Sequence, residues 1–136
     1  RVWCRLPSSG PRHSLRRPGW VLIDAPSGRH LASLRPGGDD ARQFEMSPDR
    51  TRMLLHTRIP AGTPQEFNER LWMASADGSG CRELYHTLAN VGVIGWTSDG
   101  NAIVLERDWE AGFVRIIRID TKTGAVTTLL DRPQRW

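Results

Sequence analysis

The chain has 136 residues and a formal charge of +4, from 19 basic residues, of which only Lys122 is a lysine, and 15 acids. Arg1, Arg5, Arg12, Arg16 and Arg17 fall in the first 20 residues, which hold no acid, and the remainder sets 14 basic residues against all 15 acids. That balance gives the body of the chain no basic face for nucleic acid, and no run approaches the ~18 apolar residues of a membrane span.

Residues 1–19 contain Pro7, Pro11, Pro18, Gly10, Gly19 and three serines, without a hydrophobic period. They read as a basic, disordered leader with a remnant strand near Val2 and Trp3. From Trp20 onward, short apolar strands alternate with turn signals, the pattern of an all-β chain. A hairpin over 20–35 pairs Val21–Asp24 with Leu31–Leu34 around Gly28. A four-stranded unit over 41–87 runs Gln43–Met46, Arg52–Thr57, Leu71–Ser75 and Arg82–Tyr85. A second over 91–132 runs Val91–Trp96, Ala102–Arg107, Phe113–Asp120 and Val126–Leu130.

The two units repeat. FEMSPDRTRMLLHTR from Phe44 and IGWTSDGNAIVLERD from Ile94 superpose at a step of 50, with Asp49 on Asp99, Met53 on Ile103, Leu54 on Val104 and Leu55 on Leu105. VLIDAPSGRHLASL, LWMASADGSGCREL and IIRIDTKTGAVTTLL add a threefold match of Gly28, Gly78 and Gly124, then of Leu34, Leu84 and Leu130, at steps of 50 and 46. A repeat of this length built from strands and tight turns predicts β-propeller blades, each a four-stranded antiparallel meander. Met53, Leu54 and Leu55 are consecutive, so this strand must be covered on both faces, as stacked blades would cover it. With two and a half copies and a first residue other than Met, an incomplete propeller from a longer protein is expected. The remaining blades are its expected partners.

SPDR at Ser47–Arg50 and TSDG at Thr97–Gly100, each before an apolar strand, resemble the W-S-P-D-G turn of TolB-type propeller repeats. Trp96 stands at the Trp of that motif; Met46, Arg50 and Ser98 depart from it. LWMASADGSGCREL is similar to the outer hairpin of the same repeats, and the resemblance covers about residues 20 to 132. It implies a non-catalytic binding module for a protein or peptide ligand, periplasmic or secreted. The alternative it leaves is the propeller that gates access to the hydrolase domain of a prolyl oligopeptidase-like serine peptidase.

Chemistry-bearing motifs are missing from the chain. Cys4 and Cys81 are too few for a disulfide framework or zinc centre. His13, His30, His56 and His86 lack metal-binding spacing, and no G-x-S-x-G or phosphate-cradling glycine loop occurs. No catalytic residue, metal or cofactor is expected. Asp49 and Asp99, with Gly28, Gly78 and Gly124, read as structural turn residues. Length varies between repeats in the loops Arg58–Arg70 and Arg107–Phe113, and binding loops on a rigid scaffold collect on such a face. Glu66, Asn68, Arg107, Asp108, Trp109 and Glu110 are the candidate contacts there, as a ligand-binding mouth or as a solvated rim.

Overall fold

The computed structural model describes residues 1–5, 19–59 and 68–133. Three sheets follow one another in the chain. The first holds β1 (Val2–Arg5), β2 (Trp20–Asp24) and β3 (Arg29–Leu34). The second holds β4 (Asp40–Met46), β5 (Arg52–Arg58), β6 (Glu69–Ser75) and β7 (Arg82–Thr87). The third holds β8 (Asn90–Trp96), β9 (Ala102–Asp108), β10 (Phe113–Ile119) and β11 (Val126–Pro133). Every pairing is antiparallel between consecutive strands. The protein is all-β, an incomplete propeller whose sheets are its blades.

β1 falls where the sequence suggests a remnant strand, near Val2 and Trp3. Its residues pair with β2, Trp3 opposite Leu22, so the hairpin at 20–35 belongs to a three-stranded blade. Residues 6–18 of the leader lie outside the described residues.

Stacking explains the doubly apolar strands. Met53 and Leu55 point back to the first blade, where they pack with Trp3, Trp20 and Leu22. Leu54 points forward and packs with Val91, Ile94, Val104 and Ile117 of the third blade. Met53, Leu54 and Leu55 of β5 are each 0 % exposed, because the middle blade has a neighbour on each side. Trp3 adds a directional tie: its Nε1 donates to Ala76 O at 2.8 Å. Gly78 makes room for that ring, since it sits at φ +89° and a Cβ there would lie 3.0 Å from Trp3.

The register corrects the repeat as read from the sequence. Met46 faces Met53 across the first turn, whereas Trp96 faces Ala102 across the second. Ser47 N reaches Arg52 O at 2.8 Å, while Thr97 N reaches Asn101 O at 2.8 Å, so the second turn is one residue shorter. Met53 therefore corresponds to Ala102 rather than Ile103, and Leu55 to Val104 rather than Leu105. A slip of one residue exchanges the two faces of a strand. The outer strands shift likewise: Trp72 lies opposite Leu55 and Ile117 opposite Val104. Their bulged positions are Leu31, Leu84 and Leu129, in place of the superposition of Leu34, Leu84 and Leu130. The innermost strands β4 and β8 bulge too, at Arg42 and Gly92.

Candidate functional site

The blades have two ends. At one lie the tight turns, each held by an aspartate. Asp49 Oδ1 accepts from Ser47 Oγ at 2.7 Å, Thr51 Oγ1 at 2.8 Å and Thr51 N at 3.1 Å, which holds its carboxyl down at about 2. Asp99 accepts from Thr97 Oγ1, Asp77 from Ser79 N at 2.9 Å, and Asp120 from Lys122 N at 2.8 Å. A cleft of about 220 Å³ separates the Asp49 and Asp99 turns. Arg52 bridges it, donating to Gly100 O and Thr121 Oγ1, both at 3.2 Å, with its guanidinium 4.9 Å above the Trp96 ring. Trp96 Nε1 donates in turn to Glu45 O at 3.0 Å. These groups clamp one blade to the next.

At the other end lie the loops between second and third strands and the links between blades. Glu66 falls outside the described residues. Asn68 accepts a hydrogen bond from His86 Nε2. Arg107, Asp108, Trp109 and Glu110 share the end of β9 and the short link to β10. Asp108 Oδ1 accepts from Ala111 N at 2.8 Å and so closes that link, while Trp109 is 44 % exposed.

Two polar groups that the sequence places at this end, Glu69 and Asp39, are buried, and their partners could not be read from spacing. The first is Glu69, 0 % exposed at the start of β6. Its Oε1 accepts from Arg58 Nη2 at 2.8 Å, Arg58 Nε at 3.1 Å and His56 Nε2 at 3.2 Å, and its Oε2 from Val91 N in the next blade. Gln43 Nε2 donates to His56 Nδ1 at 3.0 Å and to Gly92 O at 3.3 Å. With Nδ1 accepting, His56 presents Nε2 as the donor to Glu69. Burial pushes the Glu69 carboxyl up, but the bonds from His56 and Val91 N outweigh it and the net shift is downward.

The second group is Asp39, on the link before β4. Arg70 grips it in two bonds, Nε to Oδ2 at 2.9 Å and Nη2 to Oδ1 at 2.8 Å. Thr57 Oγ1 donates to Asp39 Oδ2 at 2.8 Å and accepts from Trp72 Nε1 at 2.9 Å. Gly37 lies beneath this pair at φ +62°, where a Cβ would approach Arg70 Nη2 and Trp72 to 2.9 Å.

Around Glu69 the charge is positive. Arg5 Nη1 donates to Arg42 O at 3.1 Å, across from the first blade to the second. The Arg42 guanidinium is held below its ordinary range, first by burial and next by the charge of Arg58, with Arg5 adding to it against the pull of Glu69 and Asp40. Arg107 Nε lies 4.0 Å from the point where a Cβ on Gly92 would stand. Among the described residues no group of three His, Cys, Asp or Glu side chains is arranged to hold a metal ion.

No family model matches the chain, and no curated protein matches it. Among solved structures it is similar to a candidate 6-phosphogluconolactonase from Bacteroides fragilis NCTC 9343, at 14% identity and a TM-score of 0.48, over 86% of this chain and 33% of that one. It is also similar to a candidate 6-phosphogluconolactonase from Bacteroides uniformis ATCC 8492, at 10% identity and a TM-score of 0.49, over 87% of this chain and 34% of that one. The chain thus spans about a third of the length of either.

Both of those proteins carry the name of an enzyme; neither carries a TolB or peptidase name. The expectation of a non-catalytic TolB-like binding module, with a peptidase's gating propeller as its alternative, is corrected on that finding. The physical reason is general. Blades are scaffold, and the same scaffold carries unrelated activities in its loops, so a motif-free repeat does not mark a protein without chemistry.

Proposed function

We propose that this chain supplies consecutive blades of a larger β-propeller, joins further blades through the forward face of its third sheet, and takes its ligand at the loop end. One observation carries the reading. On the middle blade, the forward-facing Leu54, Leu71 and Leu84 are buried by the third blade. Their register counterparts on the third blade are Ile103, Ile116 and Leu129, and they share a face with Val93, Leu105 and Val114. Val93 is 59 % exposed and Leu129 51 % exposed, and the others are half-buried. An apolar face of this kind calls for a covering layer. The covering layer that matches is another blade, because the same face one blade earlier is already covered by one. Kinship of the blades with TolB-type repeats is part of this reading and is supported by the aspartate turns at Ser47–Arg50 and Thr97–Gly100.

Sedimentation velocity tests it. The purified chain self-associates through that face, and the double variant Val93→Asp, Leu105→Glu shifts it to monomer while keeping its β-sheet circular dichroism. A wild-type chain that stays monomeric across the concentration range, with no response to the substitutions, overturns the reading.

A further inference from the structure

The corrected register places three arginines at one recurring position. Arg5 lies opposite Trp20, Arg58 opposite Glu69, and Arg107 opposite Val114. Trp20, Glu69 and Val114 occupy the same point on the third strand of successive blades, so the arginines occupy the same point on the second. Each is the last forward-facing residue of its strand at the loop end. The sequence repeat hides this, because its step of 50 puts Arg107 on Thr57 and Asp108 on Arg58.

No single structural partner accounts for the recurrence: Arg58 binds buried Glu69, whereas Arg5 binds Arg42 O. The residues two positions earlier on the same faces are Trp3, His56 and Leu105, and those directly opposite are Trp20, Glu69 and Val114. Neither set shares a partner that a guanidinium would serve, yet the arginine is kept in all three blades. A fourth arginine joins them: Arg42 is the bulged residue of β4, a position that turns a side chain out of the regular alternation. The bulge on β8 stands at Gly92, where a Cβ would lie 3.0 Å from Leu105 Cδ2 and 4.0 Å from Arg107 Nε.

Among the described residues the acids at this end are drawn to Arg58, which pairs with Glu69 and faces Asp40 of β4, and no carboxylate lies within ion-pair distance of Arg5, Arg42 or Arg107. Glu69 is buried and fully engaged by His56, Arg58 and Val91 N. Asp40 Oδ1 lies 3.8 Å from Arg35, and Asp108 is bound to the backbone of its own link. Glu110 sits on the link between β9 and β10, outward of the inner strands.

We propose that Arg5, Arg42, Arg58 and Arg107 form a guanidinium ring at the loop end of the blades that binds a small molecule carrying a phosphate or carboxylate group. Guanidinium suits both anions, since its fork of N–H donors matches their paired oxygens. The recurring arginine of each blade, with Arg42 added on the second, groups guanidinium at one end for a compact anion, unlike the linear stripe that tracks a polyanion. Glu69 has a supporting part: it fixes Arg58 through two bonds, so this member of the ring is held in place before a ligand arrives. The inference rests on the blade arrangement of the proposed function, but it reads out separately.

The test titrates inorganic phosphate and, in a second arm, acetate, at ionic strength held constant with chloride, by calorimetry and thermal shift. The wild-type chain binds at least one of the two anions. The double variant Arg42→Gln, Arg107→Gln binds it about tenfold more weakly or worse, as loss of charge-assisted bonds requires, while Arg29→Gln at the turn end of β3 binds as wild type does. Equal binding by all three proteins, or no binding of either anion by the wild type, overturns the proposal. So does binding of a single-stranded oligonucleotide in the absence of phosphate or acetate binding, which assigns the ring to a polyanion. Sedimentation on the same samples separates failure of the anion site from failure of the blade assembly.

Discussion

Glu69 is the residue whose environment departs furthest from the repeat. Its register counterparts are Trp20 and Val114, and the counterparts of its partner His56 are Trp3 and Leu105. A buried carboxylate at a position otherwise apolar costs stability unless its oxygens are fully engaged, and here they are. Because its pKa is lowered from 4.5 in the folded state, ionised Glu69 stabilises the fold above that ordinary value, and the contribution is lost as pH falls below it. Glu69→Gln should therefore lower stability at pH 7 by about 2 kcal/mol and flatten the decline of stability on the acid side. Urea unfolding of both proteins at a series of pH values measures this. A parallel decline in wild type and variant would show that Glu69 carries none of it. Asp49, also lowered, titrates on the same side at about 2 and remains in both proteins.

At the scale of the element, one turn sets how each blade is threaded. Met53, Leu54 and Leu55 are all apolar, as are Ile103, Val104 and Leu105. A strand that buries both faces does not specify its own register by alternation, and the turn must do so. The turn before β5 has one residue more than that before β9, and it holds Arg50 at φ +60°, where the second turn has Gly100 at φ +87°. A left-handed arginine costs about 1 kcal/mol relative to glycine, offset in part by the greater freedom of glycine in the unfolded chain. Arg50→Gly is thus expected to raise stability by about 0.5 kcal/mol, seen as a higher urea midpoint with an unchanged slope. Strands and turns were legible because Gly, Asp and apolar runs act locally. The face of each side chain was not, since a one-residue difference between turns is invisible where neighbouring residues are equally apolar.

Across the whole molecule, the same side chain has different worth on different blades. Leu54 is 0 % exposed because the third blade lies over it, while its counterpart Ile103 has no blade beyond it among the described residues. Leu54→Ala is expected to cost about 2–5 kcal/mol through lost packing and a residual cavity. Ile103→Ala in the same chain should cost less than about 1 kcal/mol, near the range of surface changes. Thermal and urea unfolding of the two variants compare them directly. Similar losses would mean that the face of the third blade is already covered.

Local chemistry accounts for what the residues alone determined: the all-β class, the blade-length repeat and the aspartate turns each depend on contacts within a few positions. The candidate site divides along the same line. The loop end at Arg107, Asp108, Trp109 and Glu110 could be located from length variation between repeats. The Glu69 and Asp39 networks could not, since Glu69 meets Val91 and Asp39 meets Arg70 only once blades have stacked and links have folded back. The alignment of Arg5, Arg58 and Arg107 is of the same kind. Hydrogen-bonded register across strands, rather than spacing along the chain, decides which residues share a face, and it is that register which brings three arginines from three blades to one end.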